Sequence, residues 1–336
     1  MLDAAAVRYA GNALKGVMKA SAGERLLVVS DDVRLDVGKC FAYAGVETGL
    51  LTRLLTLQTE KNVTRRDLPE VVKEAIGSHP DLVVNCLRGP ADETPFRIKI
   101  IHLETKDKNR RLGHCPGITL DMLTEGALAL SLDEHERMNR EADRIIAATE
   151  GAEVITISSP AGTRLSLSIK GRGFFKDTTI TNAKWGNLPT GEVTVGPIEN
   201  SLGGILVCDA AVGGIGSISK LLTIECHDGR AVSIRGDEKR VVGAVERTLG
   251  TDKMASMVGE MAIGLNPKAR IVHEFLETEK VWGTAHVAFG RNTDFPTGGK
   301  NNSANHMDFL INKPTVEAVF PSGESRRLVS EGRIAP

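Results

Sequence analysis

The hydrophobic pattern of this chain changes its period once, near residue 150, and that change limits the folds open to it. Before it, short apolar strands alternate with stretches at helical spacing. Residues 3–20 carry Ala and Leu at helical spacing without proline and stop at Gly23. Leu26–Val29 then reads as a strand, Asp31 and Asp32 as the cap of a helix running to about Ala44, residues 49–57 as a strand, and residues from Leu68 as a helix. Asp81–Cys86 has the apolar content of a buried strand. Strand and helix in this alternation predict a parallel sheet with helices on its faces.

After a helical stretch from about Asp133 to Thr149 the period becomes two. Val154–Ile157 and Leu165–Ile169 flank Pro160-Ala-Gly162 as a hairpin, and Leu222–Glu225 and Ala231–Ile234 flank His227-Asp-Gly229 as a second. Phe309–Asn312 and Val316–Phe320 read as a third, with a helix near residues 236–249. The expectation is an α/β N-terminal domain over residues 1–150, a parallel sheet with flanking helices. An α+β, mainly antiparallel-sheet C-terminal domain over residues 151–336 follows, and the candidate metal-binding catalytic residues lie in it. The 35 glycines fit a chain rich in turns and sheet.

Several function classes are disfavoured. A net charge of −1 offers no global field for nucleic acid or anionic membrane, and 4% aromatics leave few surfaces on which bases could stack. The basic run Lys106–Arg111 is interrupted by Asp107 and reads as a solvated loop. Cys40, Cys86, Cys115, Cys208 and Cys226 are odd in number and widely spaced, which fits a reducing cytoplasm rather than a disulfide framework. The N-terminus lacks the pattern of a signal peptide, and no uncharged apolar run reaches the ~18 residues of a membrane span.

Four strand-like segments of the second half each hold a metal-capable side chain, three of them with Gly or Ala on the same face. His306 and Asp308 share one face of a strand, about 6.5–7 Å apart by strand rise, with Met307 and Phe309 on the other. His286 shares its face with Ala288 and Gly290, Glu260 with Ala262 and Gly264, and Glu192 with Thr194 and Gly196. Any one of them alone reads more readily as a polar residue on the wet face of an antiparallel sheet. Four together favour a site, although spacing alone does not bring the strands together. If they converge, carboxylates and imidazoles without thiolate suit zinc, manganese, cobalt or iron. Three carboxylates and two histidines exceed one tetrahedral zinc and match two ions about 3.5–4 Å apart.

Other candidates are weaker. Val212–Ser219 lacks the phosphate-loop spacing and reads as a tight turn, and Ser158-Ser159-Pro160 lacks a nucleophile elbow. His114 and Cys115 are strand neighbours that point apart, and His79, His102, His135, His227 and His273 have no partner at ligand spacing.

The segments Asn187–Val193, Gly259–Pro267, Glu279–Gly290 and His306–Asp308 resemble, in order, those of the thermophilic metalloaminopeptidase family (aminopeptidase T and relatives), and His114–Thr119 is weakly similar to a stretch ahead of its C-terminal domain. The resemblance implies a two-domain, homodimeric, cytoplasmic exopeptidase acting on small peptides or amides with two divalent ions (Zn, Mn or Co). Carried over by position, Glu192, Glu260, His286, His306 and Asp308 are metal ligands, and Glu260 also handles the water proton. Glu279 is carried over as a sixth ligand, with Glu277 as its alternative. One position departs from the pattern: Thr293 stands seven residues past His286, where the peptidases place a tyrosine, and the only tyrosines are Tyr9 and Tyr43. Lys184, Trp185 and Arg291 lie close to the motifs as candidate pocket residues.

The related 2,5-dihydroxypyridine dioxygenases supply an alternative, a single Fe(II) held by two His and one carboxylate. His306 and Asp308 fit that triad, but its other histidine aligns with Glu260. A metal-free binding protein on the same scaffold is the third reading, disfavoured because uncompensated carboxylates in a cavity are costly.

Overall fold

The computed structural model describes residues 2–181 and 185–335, and these form two compact units. One comprises Met1–Asn139 with Asp177–Thr190, the other Arg140–Lys176 with Gly191–Pro336. In chain order the first half holds α1 (Ala4–Gly16), β1 (Arg25–Asp31), α2 (Leu35–Glu47), β2 (Leu51–Leu57), α3 (Glu70–Gly77), β3 (Leu82–Leu87), α4 (Thr94–Glu104), β4 (Arg111–Pro116), α5 (Leu120–Thr124) and α6 (Leu132–Ala148). The strands β5 (Val154–Ser158), β6 (Arg164–Ser168), β7 (Phe175–Asp177), β8 (Trp185–Asn187), β9 (Glu192–Val195), β10 (Gly203–Cys208), β11 (Ala211–Val212), β12 (Gly216–Ser217), β13 (Leu222–His227) and β14 (Arg230–Gly236) lead to α7 (Lys239–Leu249). β15 (Val258–Gly264), α8 (Phe275–Thr278), β16 (Ala285–Gly290), β17 (His306–Ile311), β18 (Thr315–Val319), β19 (Ser325–Ser330) and β20 (Arg333–Ile334) complete the chain.

The first unit is built on a parallel sheet of order β2-β1-β3-β4-β8. The central strand β3 is buried at all six positions, which is why its sequence is a nearly continuous apolar run. Asp3 caps α1 by accepting from the Ala5 and Ala6 amides at 2.7 and 3.1 Å, and the helix buries Ala6, Val7, Ala10, Ala13 and Leu14. Helix α2 lies close to the sheet at Gly45, where a Cβ would come within 2.5 Å of the Thr52 hydroxyl. The parallel sheet with flanking helices is thus the architecture expected of the N-terminal region.

The second unit carries two largely antiparallel sheets. One has eight strands in the order β14-β13-β10-β6-β5-β18-β19-β20, the other seven in the order β12-β11-β17-β16-β15-β9-β7. The hairpins β5–β6 and β13–β14 form as expected.

Three local expectations are corrected. The segments read as a third hairpin do not pair with each other: β17 joins β16 and β11, whereas β18 pairs with β5 in the other sheet. Lys313, at φ +46°, turns the chain from one sheet to the other. Asp31 and Asp32 do not cap α2. Asp31 ends β1 and accepts from the Arg88 amide at 2.8 Å and from Arg65 at 3.0 Å, while Asp32 accepts from Thr59. The basic run is not wholly solvated. Arg110 is buried and donates to the carbonyls of Pro80 and Glu104, and Arg111, also buried, donates to those of Met18 and Lys19.

Candidate metal centre

Strands β9, β15, β16 and β17 are consecutive neighbours, and their register decides what shares a face. Ala288 stands opposite both Glu260 and Asp308, His286 opposite Ala262 and Leu310, Gly290 opposite His306, and Gly264 opposite Glu192. Because opposed residues of an antiparallel pair project to the same side, Glu192, Glu260, His286, His306 and Asp308 all point one way. The other side carries Val193, Val195, Met261, Ile263, Val287, Phe289 and Phe309, each fully buried. Phe289 and Phe309 pack edge to face at 5.7 Å. Apolar packing beneath therefore anchors a plate whose upper face holds ionisable groups, with Ala262, Ala288, Gly264 and Gly290 leaving room between them.

The five side chains and Glu279, which directly follows α8, form three overlapping triplets whose candidate ligand atoms lie within 4.8 Å of one another. These are Glu192, Glu260 and His286; Glu260, His306 and Asp308; and Glu279, His286 and Asp308. His286 Nε2 lies 3.7 Å from Glu192, 3.8 Å from Glu260 and 3.9 Å from Asp308, distances too long for hydrogen bonds. His306 Nε2 is 3.1 Å from Glu260 Oε2 and 3.3 Å from Asp308 Oδ1. Its Nδ1 lies 2.8 Å from the Arg291 carbonyl, a contact that fixes the ring and turns Nε2 towards Glu260 and Asp308.

Burial and crowding displace the protonation equilibria. Desolvation pushes the Glu192 carboxyl up to about 8, with Lys280 opposing, and also raises Glu279. Desolvation would raise Glu260 too, but the imidazoles of His286 and His306 beside it hold it well below its ordinary range. His286 is lifted to about 9, because Glu260, Glu192 and Asp308 outweigh the burial that would lower it. His306 is raised well above its ordinary value, Asp308 and Glu260 again outweighing burial.

The donors fit a metal. Glu192 Oε2 and His286 Nδ1 are buried with no hydrogen-bond partner, and an acceptor oxygen of that kind in a cluster of carboxylates and imidazoles is what a divalent cation satisfies. Glu277 is different: fully buried, it receives Arg270 at 2.9 Å and belongs to none of the triplets found among the described residues. Of the two glutamates, Glu279 is the one brought to the cluster.

Two participants were not singled out from sequence. Thr194 donates to Glu260 Oε1 at 2.6 Å; its place on the face of Glu192 was visible, its partner 66 residues away was not. Lys280 is 1% exposed, with Nζ 2.5 Å from Glu192 Oε1 and 2.8 Å from Glu279 Oε1. Nothing in its local sequence marks it as buried. Asp308 owes its seat to Gly213, where a Cβ would stand 3.1 Å from Oδ2 and 3.0 Å from the Asp308 amide nitrogen.

Of the candidate pocket residues, Arg291 is exposed beside His306, to which it lends its carbonyl, and Trp185 is exposed on β8. Lys184 lies outside the described residues. Thr293 is exposed. His114 and His135 are buried, with their rings pushed down to about 3 and about 4 by desolvation, and neither they nor His79, His102, His227 and His273 belong to a ligand triplet among the described residues.

A carboxylate-rich, thiolate-free donor cluster on an antiparallel sheet, following a parallel α/β unit, places this protein among the metal-dependent enzymes. Residues 130–334 match the thermophilic metalloprotease family, and the chain belongs to that family, a metallopeptidase by class. No curated protein matches it in sequence. Among solved structures it is similar to wild-type AmpT from Thermus thermophilus, with a TM-score of 0.73 and 17% identity over 99% of each chain. It is also similar to the 2,5-dihydroxypyridine dioxygenase of Pseudomonas putida, with a TM-score of 0.67 and 14% identity over 98% of this chain and 96% of that one. At these identities both likenesses speak to the fold. No helix among the described residues is long and apolar enough to cross a membrane.

Proposed function

We propose that this chain is an aminopeptidase-type hydrolase that removes N-terminal residues from small peptides, or cleaves a related amide, at a dinuclear site of zinc, manganese or cobalt. The observation that carries the reading is the sharing of ligands. Glu260 belongs to one triplet with Glu192 and His286 and to another with His306 and Asp308, as a carboxylate bridging two ions does. On this reading Glu192, Glu260, Glu279, His286, His306 and Asp308, all within residues 151–336, hold the ions. When bound, such ions activate a water molecule and polarise the scissile carbonyl.

The chain's own residues supply the remainder. Glu260 accepts the proton of the attacking water, a role open to a carboxylate that faces both halves of the cluster. Thr194 donates to Glu260 Oε1 and fixes which way that carboxylate faces. The Arg291 carbonyl orients His306. With Thr293 at the position of the family tyrosine, the phenol of the related peptidases has no counterpart there, and this reading assigns it no substitute. A cytoplasmic homodimer belongs to the same reading, supported on the side of the compartment by five free, buried cysteines.

Elemental analysis of protein purified without chelator tests the proposal, together with amino-acid release from a peptide panel. Close to two zinc, manganese or cobalt ions per chain, with release abolished by Glu260→Gln, is the expected result. The likeness in fold to a dioxygenase motivates a second reading, a single Fe(II) at His306 and Asp308. Close to one iron per chain, with oxygen consumed on a dihydroxypyridine, decides for that one. Failure to bind metal even after add-back overturns both.

A further inference from the structure

Lys280 has no place in the reading above. Its side chain is among the largest that are fully buried, and a buried ammonium persists only when paired. Nζ contacts one oxygen of Glu192 and one of Glu279, and Glu192 Oε2 has no hydrogen-bond partner. Glu192 and Glu279 belong to the first and third triplets, while the triplet of Glu260, His306 and Asp308 contains neither. The fixed positive charge therefore sits on one side of the cluster.

We propose that Lys280 is a built-in cation that makes the two metal positions unequal: the Glu260–His306–Asp308 position fills first, and the position served by Glu192 fills second and more weakly. The inference rests on the dinuclear reading. An ammonium that already shares Glu192 and Glu279 competes with an ion for their charge and repels it through a medium of low dielectric. It does not block loading, because four carboxylates, two divalent ions, one hydroxide and one ammonium balance to neutrality. Lys280 is thus a positioning residue that holds Glu192 by Oε1 and leaves Oε2 for the ion, at the cost of affinity in that position.

The test is titration of chelator-stripped full-length protein with Co(II), followed by visible absorption and calorimetry. Wild type is expected to bind in two steps separated by at least about 100-fold. His306→Ala should remove the tight step and leave the weak one. Lys280→Met should tighten the second step by at least about 10-fold, while Lys280→Arg, which keeps the charge, should preserve the gap. Two steps of equal affinity in wild type overturn the inference and leave the dinuclear reading standing. So does a Lys280→Met second step that is unchanged or weaker. If Lys280→Met fails to fold by near-ultraviolet circular dichroism, wild type and His306→Ala decide. One step in wild type and two in Lys280→Met would overturn the dinuclear reading for the natural protein and, with it, the inference of two unequal positions. One step in every protein overturns both.

Discussion

Stripping the metal should make stability fall with rising pH between about 6.5 and 9, and restoring it should remove that slope. In the metal-free fold His286 is raised from 6.5 to about 9; burial opposes this, and Glu260, Glu192 and Asp308 outweigh it. A histidine whose folded value exceeds its unfolded one stabilises fully below 6.5 and loses that contribution as pH climbs through about 9. Glu192, raised from 4.5 to about 8 by burial against the attraction of Lys280, keeps a proton in the fold that the unfolded chain has released. Its carboxyl therefore also makes the fold less stable as pH rises, from about 4.5 up to about 8. The His286 shift alone corresponds to about 3 kcal/mol. The two contributions share the Glu192–His286 attraction and do not add in full, so about 3 kcal/mol is taken for the pair.

For a unit of this size that is a fall in Tm of about 6–12 °C between pH 6.5 and 9. Scanning calorimetry with excess chelator and with metal, at matched ionic strength, separates the slope from the constant offset due to lost ligand binding. Metal must displace the same protons, so titration calorimetry at pH 7 in buffers of different ionisation enthalpy should show about two protons released per loaded chain from His286 and Glu192. His306, raised in the same direction, should add to that number. A flat chelated profile, or release of less than about half a proton, would refute the assignment of these side chains to a metal-dependent cluster.

Three further outcomes follow from the same geometry. Glu260→Gln should lower kcat by at least about 1000-fold in peptide hydrolysis while Tm stays within about 5 °C, since the amide keeps the shape of the side chain. Gly213→Ala should weaken metal binding by about 10-fold, read by chelator competition, because its Cβ meets Asp308 at 3.0–3.1 Å. Glu277→Gln and Glu279→Gln should separate: the first breaks a buried pair with Arg270 and costs about 3 kcal/mol in urea unfolding with metal content unchanged, the second lowers metal affinity.

The architecture was legible wherever a local period determines it. The apolar runs of β1 and β3 and the helical spacing of α1 report burial directly, and so does the alternation in β5 and β6. It was not legible where partners are chosen at long range. Alternation shows that β17 and β18 are strands, but the choice between pairing with each other and joining separate sheets depends on what β16 and β5 offer. Asp31 followed by Asp32 has the form of a helix cap, yet Arg65, 34 residues on, and the Arg88 amide, 57 residues on, claim Asp31 first. Arg110 and Arg111 look solvated beside Lys106 and Lys108 because their carbonyl acceptors, Pro80 and Met18, are distant in sequence.

The metal centre divides along the same line, and the division bears on how the site works. Five candidate ligands could be named because period-two geometry puts each on the face opposite a core residue, so the apolar pattern that anchors the sheet also indicates which polar residues face away from the core. Glu279 came from the resemblance alone, since no strand periodicity governs the segment after α8. Lys280 left no trace, because a lysine beside a glutamate is an ordinary surface pair until Glu192, 88 residues earlier, is brought to its ammonium. The five candidate ligands on strands are thus fixed by strand pattern, whereas the residue proposed to grade the affinity is fixed by tertiary register. Substitutions at Lys280 should accordingly change how tightly the second position is held without moving the strands that define the first.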